Sequence, residues 1–139
     1  MKTCPVLCIA FVGTVLSGCS EANASGFDPS NPLHCAAQFQ SYEIIARQLG
    51  EAGAGGFGAR SRWYVDRARL LSEKQLTPEA LEVLGSKIIA QADGGLALAT
   101  ECMKRQDLDP DWQRLVLAAK TAISEGRDPS TPMREVVRR

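Results

Sequence analysis

A side chain that caps helices stands directly before proline at four places in the chain, and this pattern constrains the fold more than any other feature. Proline needs no hydrogen-bond partner for its nitrogen at the first position of a helix, and the preceding side chain accepts hydrogen bonds from the free N–H groups of the first turn. Each such pair therefore predicts the start of a helix. The pairs are Asn31-Pro32, Thr77-Pro78, Asp109-Pro110 and Thr131-Pro132.

Apolar residues recur three and four positions apart after the first three of these starts, and also from Ala59 onward. This spacing is the period of one buried helical face. This spacing predicts four helices, over residues 32–49, 59–76, 78–103 and 110–125. We expect a kink or short break in the third helix at Asp93-Gly94-Gly95, and a glycine-rich loop over residues 50–58. Strand patterns and internal repeats do not occur in the sequence. The predicted fold is all-α, a small four-helix bundle with one disulfide.

The composition agrees with a single globular domain. The chain has 139 residues, of which 45% are hydrophobic and 23% charged, so it is neither disordered nor large enough for two ordinary domains. The large apolar residues on the helical faces form the candidate core. They include Phe39, Tyr42, Leu49, Trp63, Tyr64, Leu70, Leu81, Leu84, Ile88, Leu98, Trp112, Leu115, Val116 and Ile123.

The N-terminus has the pattern of an export signal. Lys2 is followed by an apolar run from Cys4 to Leu16, and no charged residue occurs between Lys2 and Glu21. A positive start, a short apolar run and small residues after it are typical of secretory signals. The run is shorter than the ~20 apolar residues that a membrane-spanning helix requires.

The end of this run, Leu16-Ser17-Gly18-Cys19, resembles the lipobox of bacterial lipoprotein precursors. The resemblance implies cleavage before Cys19 and lipidation of the Cys19 sulfur, so that a lipid would hold the protein on a membrane. Because Ser20 follows the cysteine, and not aspartate, the resemblance further implies the outer membrane of a bacterial envelope, with the protein facing the periplasm.

An alternative cleavage site follows a few residues later. Ala22-Asn23-Ala24 has the A-x-A form that ordinary signal peptidase recognises, and cleavage after Ala24 would release a soluble periplasmic or secreted protein. Under the lipoprotein interpretation the chain divides into a signal peptide over 1–18, a flexible tether over 19–30, a helical domain over 31–126 and a polar tail over 127–139.

Cysteine positions predict one disulfide in the exported domain. Cys4 and Cys8 lie in the signal, so only Cys35 and Cys102 remain beyond position 19. Exported cysteines usually pair, because the compartment is oxidising. A zinc site formed by both thiolates and His34 fits no familiar ligand spacing, and His34 is badly placed to activate its neighbour Cys35 because adjacent helical residues point about 100° apart.

Four arginines in the second predicted helix form a candidate site for anionic groups. Arg60 and Arg67 are seven residues apart, as are Arg62 and Arg69, so they form two rows on the helix. Lipid headgroups or an acidic partner would suit this charge. The alternative is a solvated face with internal ion pairs, Arg62 with Asp66 and Arg69 with Glu73.

Two further motifs lack the neighbouring residues or elements that their function requires. Gly53-x-Gly55-x-x-Gly58 matches the dinucleotide fingerprint, but a helix and not a strand precedes it. Asp107-x-Asp109-x-Asp111 begins like a calcium loop but lacks its glycine and glutamate, so the acids are better explained by helix capping. We therefore predict no metal and no cofactor.

The remaining observations favour a non-catalytic role. Sixteen basic and sixteen acidic residues give no net charge, which argues against a nucleic-acid partner. No catalytic motif is found and no small-molecule substrate is indicated, so we predict no catalytic residues. The expectation is a lipid-anchored envelope protein whose helical domain binds another protein, similar in architecture to the pilotins of secretion systems. The alternative is a soluble exported protein with a chaperone-like or inhibitor role.

Overall fold

The computed structural model describes residues 26–70 and 76–132, and within these ranges the chain forms helices and no strand. The predicted all-α class is therefore confirmed. The signal peptide, Cys19 and the alternative cleavage site at Ala24 lie outside the described residues. The helices are α1 (Pro32–Gln48), α2 (Ala54–Ala68), α3 (Pro78–Ile89), α4 (Leu96–Asp107) and α5 (Pro110–Ser124).

Three of the four predicted helix starts are confirmed. Asn31, Thr77 and Asp109 each accept a hydrogen bond from a backbone N–H of the first turn of α1, α3 and α5, respectively, and proline follows each of them. The fourth start differs by two residues, because the helical residues begin at Ser130 and not at Pro132. Asp128 provides the acceptor there, since its side chain bonds the Ser130 N–H at 2.8 Å.

α1 is the central helix of the domain. Every residue from Cys35 to Phe39 is buried, which requires neighbours on several sides of the helix. α2, α3 and α4 all pack against it, and α5 lies further out against α4. The main buried side chains of the core are Phe39, Trp63, Tyr64, Leu81, Ile88, Leu98, Trp112 and Leu115.

Small residues let α2 and α3 approach α1 closely. The Ser61 hydroxyl of α2 donates to the Ala36 carbonyl at 2.9 Å. On α3, a methyl group added to Gly85 would lie 2.8 Å from the Ala37 carbonyl oxygen, closer than side-chain carbons come in proteins. The small size of the residues at these contacts therefore sets the distances between the helices.

The predicted glycine-rich loop over 50–58 is wrong, because α2 begins at Ala54 and contains Gly55, Gly56 and Gly58. Glycine disfavours helices by about 1 kcal/mol relative to alanine, so local sequence alone argues against a helix here. Gly58 is buried against the Glu43 side chain of α1, and such packing offsets the local cost. The end of this helix was also predicted too late, since α2 stops at Ala68 and not at residue 76.

The third predicted helix is divided into α3 and α4. Gly94 and Gly95 have φ angles of 62° and 76°, in the left-handed region that favours glycine. Gln38 donates to the Gly95 carbonyl at 3.1 Å and the Tyr42 hydroxyl to the Gly94 carbonyl at 3.3 Å, so α1 holds the turn. The expected break is present, but it separates two helices, and the predicted four-helix bundle is not confirmed.

The predicted disulfide is confirmed between Cys35 and Cys102, whose Cα atoms are 5.7 Å apart. It joins α1 to α4, and both cysteines are fully buried. His34 lies beside it but serves the chain before α1, because its Nδ1 atom accepts from the Asp28 N–H at 2.8 Å. Phe27 packs edge-on against the His34 ring, so the folded part begins before residue 31, within the predicted tether.

Three residues predicted to face the core are exposed. Leu49 caps the C-terminal end of α1 and Leu70 follows the end of α2, so neither lies on a buried turn of a helix. Ile123 is 62% exposed, and its neighbour Ala122 is buried instead. Adjacent residues on a helix point about 100° apart, so a small rotation of α5 about its axis decides which of the two side chains is buried.

Candidate functional site

Two sequence motifs that were interpreted separately meet where α2 packs against the corner between α4 and α5. Arg60 of α2 donates to the Asp107 carboxylate at 2.9 Å and to the buried Gln106 side chain at 2.7 Å. Arg67, two turns further along α2, donates to Asp109 at 3.3 Å. One row of the candidate anionic site is thus neutralised by acids of the Asp107-x-Asp109-x-Asp111 motif.

Two tryptophans complete this contact. Trp63 and Trp112 pack edge-to-face, with ring centroids 6.0 Å apart. The Arg67 guanidinium lies 3.2 Å from the centre of the Trp63 ring, and that of Arg60 lies 5.1 Å from the centre of the Trp112 ring. Cation–π contacts contribute about 0.5–2 kcal/mol each, depending on exposure. We call Arg60, Trp63, Arg67, Asp107 and Trp112 the arginine–tryptophan cluster.

The second arginine row stays at the surface. Arg62 is exposed, and Arg69 forms an ion pair with Asp66 at 3.3 Å. Burial raises the pKa of Asp66, and the neighbouring Arg69 partly opposes that rise. The predicted pairing of Arg62 with Asp66 is therefore wrong, because Arg69 lies on the same side of the helix, three residues away. The proposed partner of Arg69, Glu73, lies outside the described residues.

The roles predicted for two of the aspartates are confirmed, because Asp109 is the N-cap of α5 and Asp111 lies in its first turn. Asp109 accepts from the backbone N–H groups of Asp111 at 2.8 Å and Trp112 at 3.3 Å. Asp107 accepts from the indole N–H of Trp112 at 3.2 Å. Over residues 26–70 and 76–132, no group of three or more metal-ligating side chains comes together.

Buried polar groups in the core hold the helices together. The Tyr64 hydroxyl donates to the Cys102 carbonyl at 2.6 Å, which ties α2 to α4 beside the disulfide. Burial raises the pKa of Tyr64 to about 12, so this hydroxyl keeps its proton at neutral pH. Gln38 and Gln106 are also fully buried and bond the Gly95 carbonyl and Arg60, respectively. Gln38 Oε1 and Gln106 Nε2 have no hydrogen-bond partner among the described residues, and neither residue lines the two clefts described below.

Two open clefts lie along the outer side of α5. One, of about 290 Å³, is lined by Trp112, Val116, Leu117 and Lys120 among others. A second, of about 430 Å³, lies across Leu117 and is bordered by Arg127. Leu117 is 66% exposed and lines both. We call the residues around it the α5 outer surface: Gln113, Arg114, Val116, Leu117, Ala118, Lys120, Thr121 and Arg127.

The α5 outer surface is not predicted from the sequence. Helical periodicity assigns Trp112, Leu115 and Val116 to the core and gives Leu117 no role. The available signal was that Leu117 lies about 140° around the helix from Trp112, away from the buried face. A large apolar residue in that position is a weak indication of a contact surface, because single exposed leucines are common.

None of the helices in the described part of the chain has the length and apolar character needed to cross a membrane. Comparison of the chain with protein-family models, with curated proteins and with solved structures finds no match to any of them.

Proposed function

We propose that this protein is a lipid-anchored protein of the bacterial cell envelope whose helical domain binds another protein and catalyses no reaction. The lipobox-like sequence ending in Cys19 supports the anchor, and the disulfide is consistent with an oxidising compartment. The observation that carries the binding role is the α5 outer surface, where Leu117 stands exposed between two clefts.

The arginine–tryptophan cluster supports the same choice of surface by elimination. Arg60 and Arg67 are two of the four arginines of the predicted site for anionic groups. In the structure both form ion pairs with aspartates of the neighbouring helices. Arg62 and Arg69 remain at the surface of α2, where Arg69 pairs with Asp66. The two clefts described above give α5 a surface with both apolar area and concave shape.

The first experiment tests the anchor. The full chain is expressed in a bacterium, the cells are fractionated, and the intact mass is measured for wild type and for Cys19→Ser. We expect a membrane-bound species that begins at Cys19 and carries acyl chains, and loss of both the acyl mass and the membrane fraction in the variant. A soluble species beginning at Ser25 in the wild type would overturn the anchor and favour the soluble exported alternative.

The second experiment tests the binding role in intact cells. A photo-crosslinking amino acid replaces Gln113, which lines the first cleft, or Ser86, which is exposed on α3. We expect one discrete crosslinked protein from position 113, its loss when Leu117→Asp is added, and none from position 86. Equal products from both positions would contradict a dedicated binding surface on α5.

A further inference from the structure

After α5 ends, the chain turns back toward that helix. Gly126 has a φ angle of 69°, in the left-handed region, and the Arg127 N–H donates to the Ala122 carbonyl at 2.7 Å. A left-handed glycine followed by a hydrogen bond into the last turn ends a helix and redirects the chain. Pro132 then lines the second cleft together with Leu117. At the end of the described residues the chain has therefore returned to the side of α5.

A new helical turn begins beside this cleft. The Asp128 carboxylate accepts from the Ser130 N–H at 2.8 Å and from the Ser130 hydroxyl at 2.7 Å. The Asp128 carbonyl accepts from the Thr131 N–H at 3.2 Å, and residues 130–132 are helical. The first turn is the costly step of helix formation, and each later residue adds one hydrogen bond. The residues that follow Pro132 can therefore extend a helix that has already started.

These following residues have the pattern of an amphipathic helix. Residues 133–139 lie outside the described residues, and their sequence is Met-Arg-Glu-Val-Val-Arg-Arg. Met133, Val136 and Val137 are three and four positions apart, which places them on one helical face. Isolated helices shorter than about 12–15 residues are marginal in water, so a helix of this length requires a surface against which its apolar face packs.

The second cleft is the surface within reach. A helix rises about 1.5 Å per residue, so Val136 would lie ~6 Å beyond Pro132 in a continuing helix. Leu117 lies the same ~6 Å from Thr121 along α5. Thr121 and Pro132 both line the cleft, so an antiparallel helix would bring Val136 level with the exposed Leu117 side chain.

Charge does not select an occupant for the α5 outer surface. Acids and bases are equal in number around it: Asp107, Asp111 and Glu125, and Arg114, Lys120 and Arg127. The choice of occupant therefore depends on the position of Pro132 at the cleft and on the apolar spacing that follows it.

We propose that residues 133–137 fold back along α5 and occupy the second cleft, with Met133, Val136 and Val137 packed against Leu117. A partner that spans both clefts must then displace this segment, which makes the segment an autoinhibitory contact. The autoinhibition rests on the proposed protein-binding function, whereas the contact between the segment and α5 does not.

The first test measures amide hydrogen exchange by NMR in the full protein as isolated from the producing bacterium. Leu117→Ser alters the cleft and Val136→Ser alters the segment. The matched control for the cleft is Val83→Ser, at an α3 residue that is 59% exposed. The matched control for the segment is Glu135→Ser, because the helical period places Glu135 opposite the three apolar residues.

We expect the amides of residues 134–137 to exchange at least about tenfold more slowly than in an unstructured peptide of the same sequence. Leu117→Ser and Val136→Ser should each abolish this protection, and both controls should retain it. Unprotected exchange in the wild type, or protection that Leu117→Ser leaves unchanged, would overturn the proposal. Protection that rises with protein concentration, together with a dimer in sedimentation, would assign the segment to a second copy and would also overturn it.

The second test measures the autoinhibition by photo-crosslinking from position 113 in intact cells. A chain that ends at Pro132 should give several-fold more crosslinked partner than the full chain, because the partner no longer displaces the segment. An equal or smaller yield would refute the autoinhibition. If neither chain gives a crosslinked product while residues 134–137 are protected, the proposed function fails and the contact stands. A product from position 113 without protection of residues 134–137 would refute this inference alone.

Discussion

Replacing Gly85 by alanine is expected to destabilise the protein, although alanine favours helices more than glycine does. Gly85 lies inside α3, where the change in helix propensity alone would stabilise the folded state by about 1 kcal/mol. The added methyl group, however, would lie 2.8 Å from the Ala37 carbonyl oxygen of α1 and in conflict with the Ser41 hydroxyl. A backbone carbonyl cannot rotate away, so α3 must move outward.

The magnitude follows from the difference between these two effects. Inserting a methyl group into a well-packed contact costs about 1–3 kcal/mol. Subtracting the propensity gain leaves a net loss of about 0–2 kcal/mol for Gly85→Ala. The matched control is Gly56→Ala in α2, which has no atoms near the new methyl group and should gain about 0.5–1 kcal/mol.

Guanidinium unfolding followed by circular dichroism measures both free energies. A double variant sharpens the test, because Ser41→Ala removes one of the two conflicting atoms. The loss in Gly85→Ala/Ser41→Ala should therefore be smaller than the sum of the two single losses. Stabilisation by Gly85→Ala equal to that of Gly56→Ala would refute the close contact between α1 and α3.

Three further predictions concern the disulfide, the arginine–tryptophan cluster and acid stability. Cys35→Ala/Cys102→Ala opens a loop of 67 residues and should lower the free energy of unfolding by about 4 kcal/mol, measured against the oxidised protein in guanidinium. Arg67→Ala should cost about 1–2 kcal/mol because it removes a ring contact and an ion pair, whereas exposed Arg62→Ala should stay within about 0.5 kcal/mol of wild type. Hydrogen bonds from backbone N–H groups lower the pKa of Asp93 below 3.8, so its stabilising effect is present above that pH and is lost as the pH falls through the lowered value. The stability difference between wild type and Asp93→Asn should therefore narrow below pH 3.8, and a constant difference across the acid range would contradict this assignment.

Local features of the chain allowed the helix starts to be predicted. Asn31, Thr77 and Asp109 cap their helices because a cap and its helix are neighbours in sequence, and no distant contact is needed. The disulfide was predictable for a different reason. Once the N-terminal segment is set aside, Cys35 and Cys102 are the only candidates, so elimination identifies the pair before any geometry is known.

The arginine–tryptophan cluster could not be predicted, because its partners are far apart in the chain. Arg60 and Asp107 are separated by 47 residues, and each belonged to a motif that had a complete local explanation. The arginines were interpreted as a surface row and the aspartates as helix caps. Only the approach of α2 to the α4–α5 corner brings them together. One of the two predicted arginine rows therefore lies in a contact between helices and not at the free surface.

The α5 outer surface was missed for a related reason. Periodicity shows that α5 has a buried face, but the limits of that face depend on how much of the helix its neighbours cover. Because α5 lies at the edge of the domain, Leu117 and Ile123 remain exposed. Helix periodicity cannot distinguish an apolar residue that is buried from one that remains exposed at the surface.

The sequence by itself therefore determined the all-α class, three helix starts and the disulfide pair, since these depend on short-range capping, on helical period and on cysteine count. Tertiary structure alone decided that residues 54–58 are helical, because glycines that weaken an isolated helix allow close contact with α1. It also decided which charges are neutralised and which apolar side chains stay exposed. Both depend on the distances between helices, and those distances are set by the packing of residues far apart in the chain.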